Sequence, residues 1–198
     1  MVKHEDRTDQ NHHGMTSMAR IDPLSEAETD EPRREALEHV RAAHGRLTNM
    51  KQTLARSPVA LRSLMTWYEL RDAIVEFLGE RPALLFAHAI STATNCLVCS
   101  TFFRRILTDA GDDPDHPTLD EREQLLIDYG RQLAHNPHEV SDDLFKRLKA
   151  MFDAEQVVLL TAFGGLMVAT NLFNNALRVD LDEYLWPYRK ASEVRASE

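Results

Sequence analysis

Apolar residues recur at intervals of three and four along most of the chain, the spacing that aligns them on one face of an α-helix. Pro58 and Pro82 stand where a helix start tolerates proline, and Gly79 stands just past a helix end. No alternating strand pattern and no repeat competes with this periodicity, so the predicted fold class is all-α. The predicted helices cover residues 33–56, 58–78, 82–93, 96–110, 119–133, 142–148, 154–178 and 182–186.

Residues suited to capping precede three of these helices. Thr118, followed by Glu121 three residues later, predicts a capping box at the start of the fifth helix. Ser141 and Asp153 predict N-caps for the two helices that follow, because their side-chain oxygens accept from free backbone N–H groups.

The long helix over 154–178 is the most apolar, so we expect it at the centre of the bundle or in a contact between subunits. Gly164 and Gly165 within it each cost ~1 kcal/mol relative to alanine. That cost predicts close helix packing or a bound group at this point. Asn171 and Asn175 lie one turn apart, and we expect them to form hydrogen bonds between helices.

The chain divides into one predicted domain and two tails. Residues 1–31 are polar, acidic and aperiodic, which predicts a disordered or loosely packed N-terminal tail. Residues 32–190 carry the helical pattern, and residues 191–198 form a C-terminal tail. The N-terminus lacks the apolar stretch of a secretion signal, and no uninterrupted apolar run of about 18 residues predicts a membrane span. We therefore expect a cytoplasmic protein.

The composition, with 43% hydrophobic and 28% charged residues, is ordinary for a soluble globular protein. A net charge of −9 argues against general nucleic-acid binding, because the phosphate backbone requires a basic surface. The acidic clusters over 109–115 and 180–183 lack the ligand spacing of a calcium loop, so we expect solvated faces there.

The two cysteines, Cys96 and Cys99, stand at a Cys-x-x-Cys interval. Asn95 is a predicted N-cap, which would place Cys96 at the first helical position and Cys99 at the fourth. Residues three apart share a helix face, and their Cα atoms lie about 5–6 Å apart, within the range of a disulfide. The helix N-terminus also favours a thiolate. The pair is therefore suited to cycling between dithiol and disulfide.

Two other roles for the cysteine pair are open. A structural zinc site needs about four ligands, and His88 is the single convenient addition, so we predict no metal and no cofactor. The histidines of the tail, at positions 4, 12 and 13, have no predicted ligand role. The other alternative is that both cysteines are buried and pack as small apolar side chains.

The order of these parts resembles the carboxymuconolactone decarboxylase superfamily, in particular its alkylhydroperoxidase D-like, peroxidase-related branch. The resemblance covers about residues 36–185 and implies an alkylhydroperoxidase D-like helical bundle with the cysteine pair at the start of a helix. It rests on the order of five segments, at residues 45–49, 54–58, 93–99, 142–145 and 171–177.

The resemblance also implies roles for individual residues. It makes Cys99 the peroxide-attacking thiolate and Cys96 the resolving cysteine. The family glutamate and histidine that relay protons fall on Leu84 and Phe103, neither of which carries a proton. His88, one turn after Leu84, is the predicted substitute base or relay, with Glu76 and Glu80 as more remote candidates.

We therefore predict a thiol-dependent oxidoreductase that reduces a small hydroperoxide or a partner disulfide and is recycled by a thiol reductant. Its activity is expected to be weak because a general base and its relay normally supply about 10²–10⁴-fold in rate. The alternative is a non-catalytic helical binding or assembly protein with structural cysteines. The long apolar helix and the resemblance further predict a homo-oligomer, as a dimer, trimer or hexamer.

Overall fold

Nine α-helices and three short 3-10 segments make up the part of the chain that the computed structural model describes, residues 17–190. No strand occurs within these residues, which confirms the all-α prediction. The 3-10 segments are Glu26–Glu28, Pro137–Glu139 and Glu183–Tyr188. The α-helices are α1 (Glu31–His44), α2 (Asn49–Leu54), α3 (Pro58–Met65), α4 (Trp67–Leu78), α5 (Glu80–Ala93), α6 (Leu97–Asp109), α7 (Glu121–His135), α8 (Asp142–Met151) and α9 (Ala154–Leu177).

Two predicted helices are each divided in the structure. The helix over 33–56 is broken at Gly45, whose φ of +70° ends α1, and Thr48 then caps α2 through the N–H of Lys51. The helix over 58–78 is broken at Thr66 between α3 and α4. Apolar spacing continues across both breaks, so periodicity alone did not reveal them.

Of the three caps predicted for α7, α8 and α9, the structure corrects one and confirms two. Asp120, not Thr118, caps α7 and forms a capping box with Glu123, so the helix begins two residues later than predicted. Ser141 caps α8 by accepting from the N–H of Leu144 at 3.2 Å, as expected. Asp153 caps α9 in the same way, through the N–H of Gln156.

Helix α5 lies at the centre of the bundle and packs against α4, α6, α7 and α9. Its residues 83–91 are all buried, and the side chains of Phe86 and Ile90 have no exposed surface. Fully burying one such side chain is worth about 1.5–3 kcal/mol. The central position of α5 matters for function, because its C-terminal end leads directly into the cysteine pair.

Two glycines allow α5, α7 and α9 to approach closely. A Cβ atom on Gly130 would lie 2.9 Å from Cδ2 of Phe86, and one on Gly164 would lie 2.6 Å from Cδ1 of Leu133. The close packing predicted at Gly164 is therefore confirmed. Gly165 faces the other way, and a Cβ atom there would meet nothing within 4 Å.

The described end of the predicted N-terminal tail lies along the bundle. The N–H of Arg20 donates to the carbonyl of Leu177 at 2.8 Å, and Leu24 is buried in the core. Arg56 forms an ion pair with Glu28. The predictions for residues 1–16 and 191–198 fall outside the described residues and stay predictions.

Within the described chain, α9 alone has the length and apolar composition of a membrane span. Leu160, Phe163 and Met167 on one side of it are buried in the bundle. Val158 and Leu172 on the other side are each 66% exposed. Helix α9 therefore has a core face and an open apolar face.

Candidate active site

The cysteine pair occupies the turn between α5 and α6, in a register that differs from the prediction. Helix α6 begins at Leu97, and Cys96 is its N-cap residue with φ of −87°. Asn95 is not the cap: its φ is +52°, a left-handed conformation that asparagine tolerates better than most residues. The chain needs this left-handed residue to turn from α5 into α6. Cys96 therefore lies just outside α6, and Cys99 lies in its first turn.

The two thiols are free and buried, but to different degrees. Cys96 has no exposed surface, whereas Cys99 is 6% exposed and lines a cavity. The Cys96 N–H donates to the carbonyl of Ser91 at 3.0 Å, which fixes the turn against the end of α5. Of the two cysteines, Cys99 is thus the one that a small molecule in the cavity would meet.

Three asparagines of α9 bind the cysteine turn from the opposite side. The amides of Asn171 and Asn175 donate to the hydroxyl and the carbonyl of Thr94, each at 2.9 Å. This confirms the predicted hydrogen bonding between helices. Asn174, which no sequence pattern singled out, donates from Nδ2 to Sγ of Cys99 at 3.2 Å and to Sδ of Met50 at 3.3 Å.

The interaction between the two thiols shifts their pKa values in opposite directions. The bond donated by the Cys99 thiol lowers the pKa of Cys96, and burial opposes it. The backbone N–H groups of Cys99 and Val98 also lower the pKa of Cys96. Neither of them makes a cap hydrogen bond to the Cys96 sulfur. The same S–H···S bond, with burial, raises the pKa of Cys99 well above its usual range. Of the two thiols, Cys96 is therefore the one that loses its proton more readily.

The cavity beside Cys99 has a volume of about 430 Å³ and an apolar inner end. Leu84 and Phe103, the positions that the resemblance assigns to a glutamate and a histidine, both line it. Met167 of α9 and Trp67 of α4 complete this inner wall, and all four side chains are buried. None of these four side chains at the inner end can exchange a proton with Cys99.

Polar side chains line the part of the same cavity that includes the exposed residue Arg46, which is its outer part. Lys51 is only 4% exposed, and its Nζ donates to the carbonyls of Arg46 at 2.9 Å and His44 at 3.4 Å. The His44 ring stacks on Tyr68 with 3.6 Å between ring centroids. Desolvation lowers the pKa of both Lys51 and His44. Sequence reasoning missed this group, although residues 45–49 were among the segments that carried the resemblance.

The C-terminal 3-10 segment supplies the remaining polar wall. Arg46 lies over the ring of Tyr184, 4.2 Å from its centroid, and Arg105 lies 5.6 Å from the same centroid. Asp182, expected on a solvated face, is instead half-buried and lines the cavity, and desolvation raises its pKa. The expectation for Asp182 was wrong because the segment after α9 folds back onto α6.

His88 is not among the residues that line this cavity. It is 8% exposed, and its Nε2 atom has no hydrogen-bond partner among the described residues. Burial, followed by the charges of Lys190 and Arg104, lowers the pKa of His88 to about 4. Of the remoter candidates, Glu80 lines the cavity but pairs with Arg71, and Glu76 is exposed. The relay role of His88 stays a prediction without support from the cavity geometry.

The pKa of His88 gives an expected pH dependence of stability. In the unfolded chain this histidine takes up a proton near its ordinary pKa of 6.5, whereas folded His88 stays neutral down to about pH 4. Unfolding therefore binds a proton within this window, and the free energy of unfolding falls as the pH falls from 6.5 towards 4. The loss saturates below the folded pKa, at about 3 kcal/mol.

Urea unfolding of the wild type and of His88→Gln, measured between about pH 7.5 and pH 4.5, tests whether His88 causes this pH dependence of stability. The substituted protein should lose less stability on acidification, while His138→Gln, at an exposed position, should follow the wild type. Because His88 lies off the cavity, we expect His88→Gln to keep hydroperoxide turnover within about twofold. A loss of tenfold or more would instead support a relay role.

Asn174 gives a second expected result. In addition to the S–H···S bond and burial, its amide acts to lower the pKa of both thiols. Asn174→Ala removes this donor, so the pKa of the pair should rise and alkylation by iodoacetamide near pH 7 should slow by about tenfold. Asn175→Ala is the matched control, because that amide donates to Thr94 and not to sulfur. Equal slowing by both substitutions would contradict a direct effect on the thiolate.

No metal site is evident in the part of the chain that the structure describes. Among residues 17–190, no group of three His, Cys, Asp or Glu side chains is placed to hold an ion. The tail histidines fall outside these residues, so the predictions about them are untested.

Comparison with known proteins identifies the fold. No family model matches the sequence, and neither does any curated protein. Solved structures do match. The alkylhydroperoxidase AhpD core of an uncharacterised peroxidase-related protein from Ralstonia eutropha JMP134 is 19% identical, with a TM-score of 0.71, over 87% of this chain and 96% of its own.

The debrominase Bmp8 matches in two forms. The apo form is 15% identical, with a TM-score of 0.70, over 85% of this chain and 95% of its own. A cysteine-to-alanine variant in complex with 2,3,4-tribromopyrrole is 16% identical, with a TM-score of 0.68, over 93% of this chain and 99% of its own. At such identities the likeness shows the fold alone: the chain has the all-α fold of the alkylhydroperoxidase D-like proteins, as its resemblance predicted.

Proposed function

We propose that the protein is a thiol-dependent oxidoreductase that reduces organic hydroperoxides, with Cys99 as nucleophile and Cys96 as resolving cysteine. One observation carries this proposal: Cys96 and Cys99 lie within one turn of each other at the start of α6, and of the two only Cys99 lines the cavity. Access decides the roles, because the buried Cys96 has no surface through which to meet a peroxide. The fold is compatible with this chemistry, since one neighbour of the same fold, from Ralstonia eutropha, is described as peroxidase-related.

The proposed reaction can be completed without the glutamate and histidine of the family. Cys99 passes its thiol proton to the Cys96 thiolate and attacks the terminal peroxide oxygen, so the O–O bond breaks and Cys99 becomes a sulfenic acid. The departing alkoxide takes the proton from Cys96 and leaves as an alcohol. The Cys96 thiolate then attacks Sγ of Cys99, and the hydroxide that leaves takes a proton from an acid of the buffer, which balances the negative charge with which the thiol pair began. The products are one alcohol, one water and one disulfide.

The reaction of the reduced wild type with a hydroperoxide tests the proposal directly. One equivalent of cumene hydroperoxide should remove both alkylatable thiols and lower the protein mass by two hydrogens. No external reductant is needed for this single turnover, although continued turnover requires a thiol reductant whose identity stays a prediction. If both thiols remain alkylatable in excess peroxide, the cysteines are structural and the proposal is wrong. Location in the cytoplasm likewise stays a prediction.

A second candidate function is non-catalytic binding, and the inner wall of the cavity favours it. Leu84 and Phe103 stand where related proteins are expected to carry proton relays, and both are buried apolar side chains. A cavity of this kind is suited to holding an apolar ligand. Tight binding of a small aromatic molecule by a protein whose thiols resist peroxide would favour this candidate over the oxidoreductase.

We also propose that the protein forms a homo-oligomer through the open face of α9. Val158 and Leu172 on that face are each 66% exposed, and large apolar side chains in line on one helix mark contact surfaces. Light scattering at micromolar concentration should detect a dimer or larger assembly, and Leu172→Glu should weaken it. A monomeric wild type would contradict this proposal.

A further inference from the structure

The outer part of the cavity carries more positive charge than its carboxylates neutralise. Arg71 pairs with Glu80, and Arg105 pairs with Asp109 through Nη1. Arg46 and Lys51 form no salt bridge with any residue in 17–190, although both line the cavity. Burial raises the pKa of Asp182, the remaining carboxylate of the lining, but this residue lies close enough to both cations that their charges act to lower it. Two cations thus share one carboxylate, and the positive charge left over attracts an anionic group of a ligand.

Two buried polar atoms in this outer part lack partners. Nε of Arg105 and Oδ2 of Asp182 are both buried and form no hydrogen bond within the described chain. Buried polar atoms are normally hydrogen-bonded, and those that are not mark a place where a ligand or water completes the network. Arg105 and Asp182 belong to the same cavity as Arg46 and Lys51. The unmet N–H donor of Arg105 thus lies in the same cavity as Arg46 and Lys51, whereas the unmet oxygen of Asp182 requires a donor and does not bind an anion.

Aromatic rings form much of the wall of the cavity. Trp67 and Tyr68 lie with 4.1 Å between ring centroids, and Phe102 and Phe103 meet edge to face at 5.3 Å. Tyr184 adds a fifth ring beneath the guanidinium of Arg46. Flat aromatic groups pack well between such faces and edges. The cavity therefore combines an aromatic body with a cationic mouth.

The burial gradient orients a ligand in the cavity. Cys99, Leu84 and Phe103 are at most 9% exposed, whereas Arg46 is an exposed residue. The reacting end of a substrate must reach the sulfur in the buried, apolar part. Any charged end is left at the mouth, where an arginine can bind a carboxylate with two parallel hydrogen bonds.

We infer that the substrate is an aryl hydroperoxide that carries a carboxylate, with its peroxide against Cys99 and its carboxylate against Arg46 at the mouth. This inference rests on the proposed function for the peroxide end. The preference for an aromatic group with a carboxylate rests only on the charges at the cavity mouth and the aromatic rings of its wall. A neutral aryl hydroperoxide of the same size should enter the cavity but bind less tightly.

Binding of unreactive products tests the anionic preference without any chemistry. The probes are 4-(2-hydroxypropan-2-yl)benzoate and its methyl ester, titrated against the reduced protein by calorimetry. The acid should bind about tenfold more tightly than the ester, because it gains charge-assisted hydrogen bonds, and the preference should shrink in high salt. Arg46→Gln should reduce the preference to within about twofold, and Arg46→Lys should retain part of it.

Arg62→Gln is the matched control, because Arg62 is exposed on α3 and does not line the cavity. It should bind both probes as the wild type does. Equal binding of acid and ester by the wild type, or an unchanged preference in Arg46→Gln, would overturn the inference. The corresponding hydroperoxides separate the two proposals: if neither oxidises the thiols, the proposed function fails while the binding result still decides the anionic preference.

Discussion

Replacing Cys99 with serine should abolish hydroperoxide reduction, with a loss of at least ~10³-fold, the scale expected when a covalent nucleophile is removed. A serine hydroxyl does not ionise near neutral pH, and no base at the inner end of the cavity would activate it. Cys96→Ser should behave differently. It should consume one equivalent of hydroperoxide and stop as a Cys99 sulfenic acid, which dimedone traps and mass spectrometry detects.

This pair of substitutions separates access from acidity. Cys99 lines the cavity, whereas Cys96 has the lowered pKa, so access and acidity name different nucleophiles. If acidity decides, the pattern reverses: Cys96→Ser is inert and Cys99→Ser forms the sulfenic acid. The double variant Cys96→Ser, Cys99→Ser provides the background rate. We expect access to decide, because a thiolate without exposed surface cannot reach the peroxide oxygen.

Helix type and most helix ends followed from local chemistry in the sequence. Ser141 and Asp153 cap α8 and α9 through their own side chains, so a short segment contains all the information needed. The breaks at Gly45 and Thr66 depend instead on how short helices turn to pack on the bundle. The turn at Asn95 shows the same limit, since its left-handed backbone follows from where α5 ends and α6 must begin.

The candidate site likewise combines features that local sequence predicts with contacts that only the packing of distant helices sets. The Cys-x-x-Cys spacing was enough to predict that the sulfurs lie together, because three residues span one helical turn. The thiol contact of Asn174 joins positions 75 residues apart, and the wall at Asp182 depends on a 3-10 segment folding back onto α6. Such contacts are set by the packing of whole helices. The three asparagines at 171, 174 and 175 were the available signal, since all lie within about one turn of α9.

Restoring the family's relay residues should raise the rate of hydroperoxide reduction. Leu84 and Phe103 both line the cavity beside Cys99, so Leu84→Glu with Phe103→His would place a carboxylate and an imidazole at the inner end. A general base and its relay contribute about 10²–10⁴-fold. We expect a gain of about 10²-fold over the wild type at neutral pH, at the lower end of that range. Phe103 also packs against Trp67, so the gain comes with reduced stability.

The matched control is Leu84→Gln with Phe103→Asn, which introduces comparable polarity without groups that exchange protons near pH 7. Circular dichroism and urea unfolding establish that both double variants are folded before the rates are compared. Single-turnover loss of alkylatable thiols then measures the chemical step without a reductant. A folded Glu/His variant that is no faster than the Gln/Asn control would show that proton transfer does not limit this cavity. If neither variant reacted with peroxide at all, the binding function would be the better account, because a complete relay beside two thiols would still fail to produce a peroxidase.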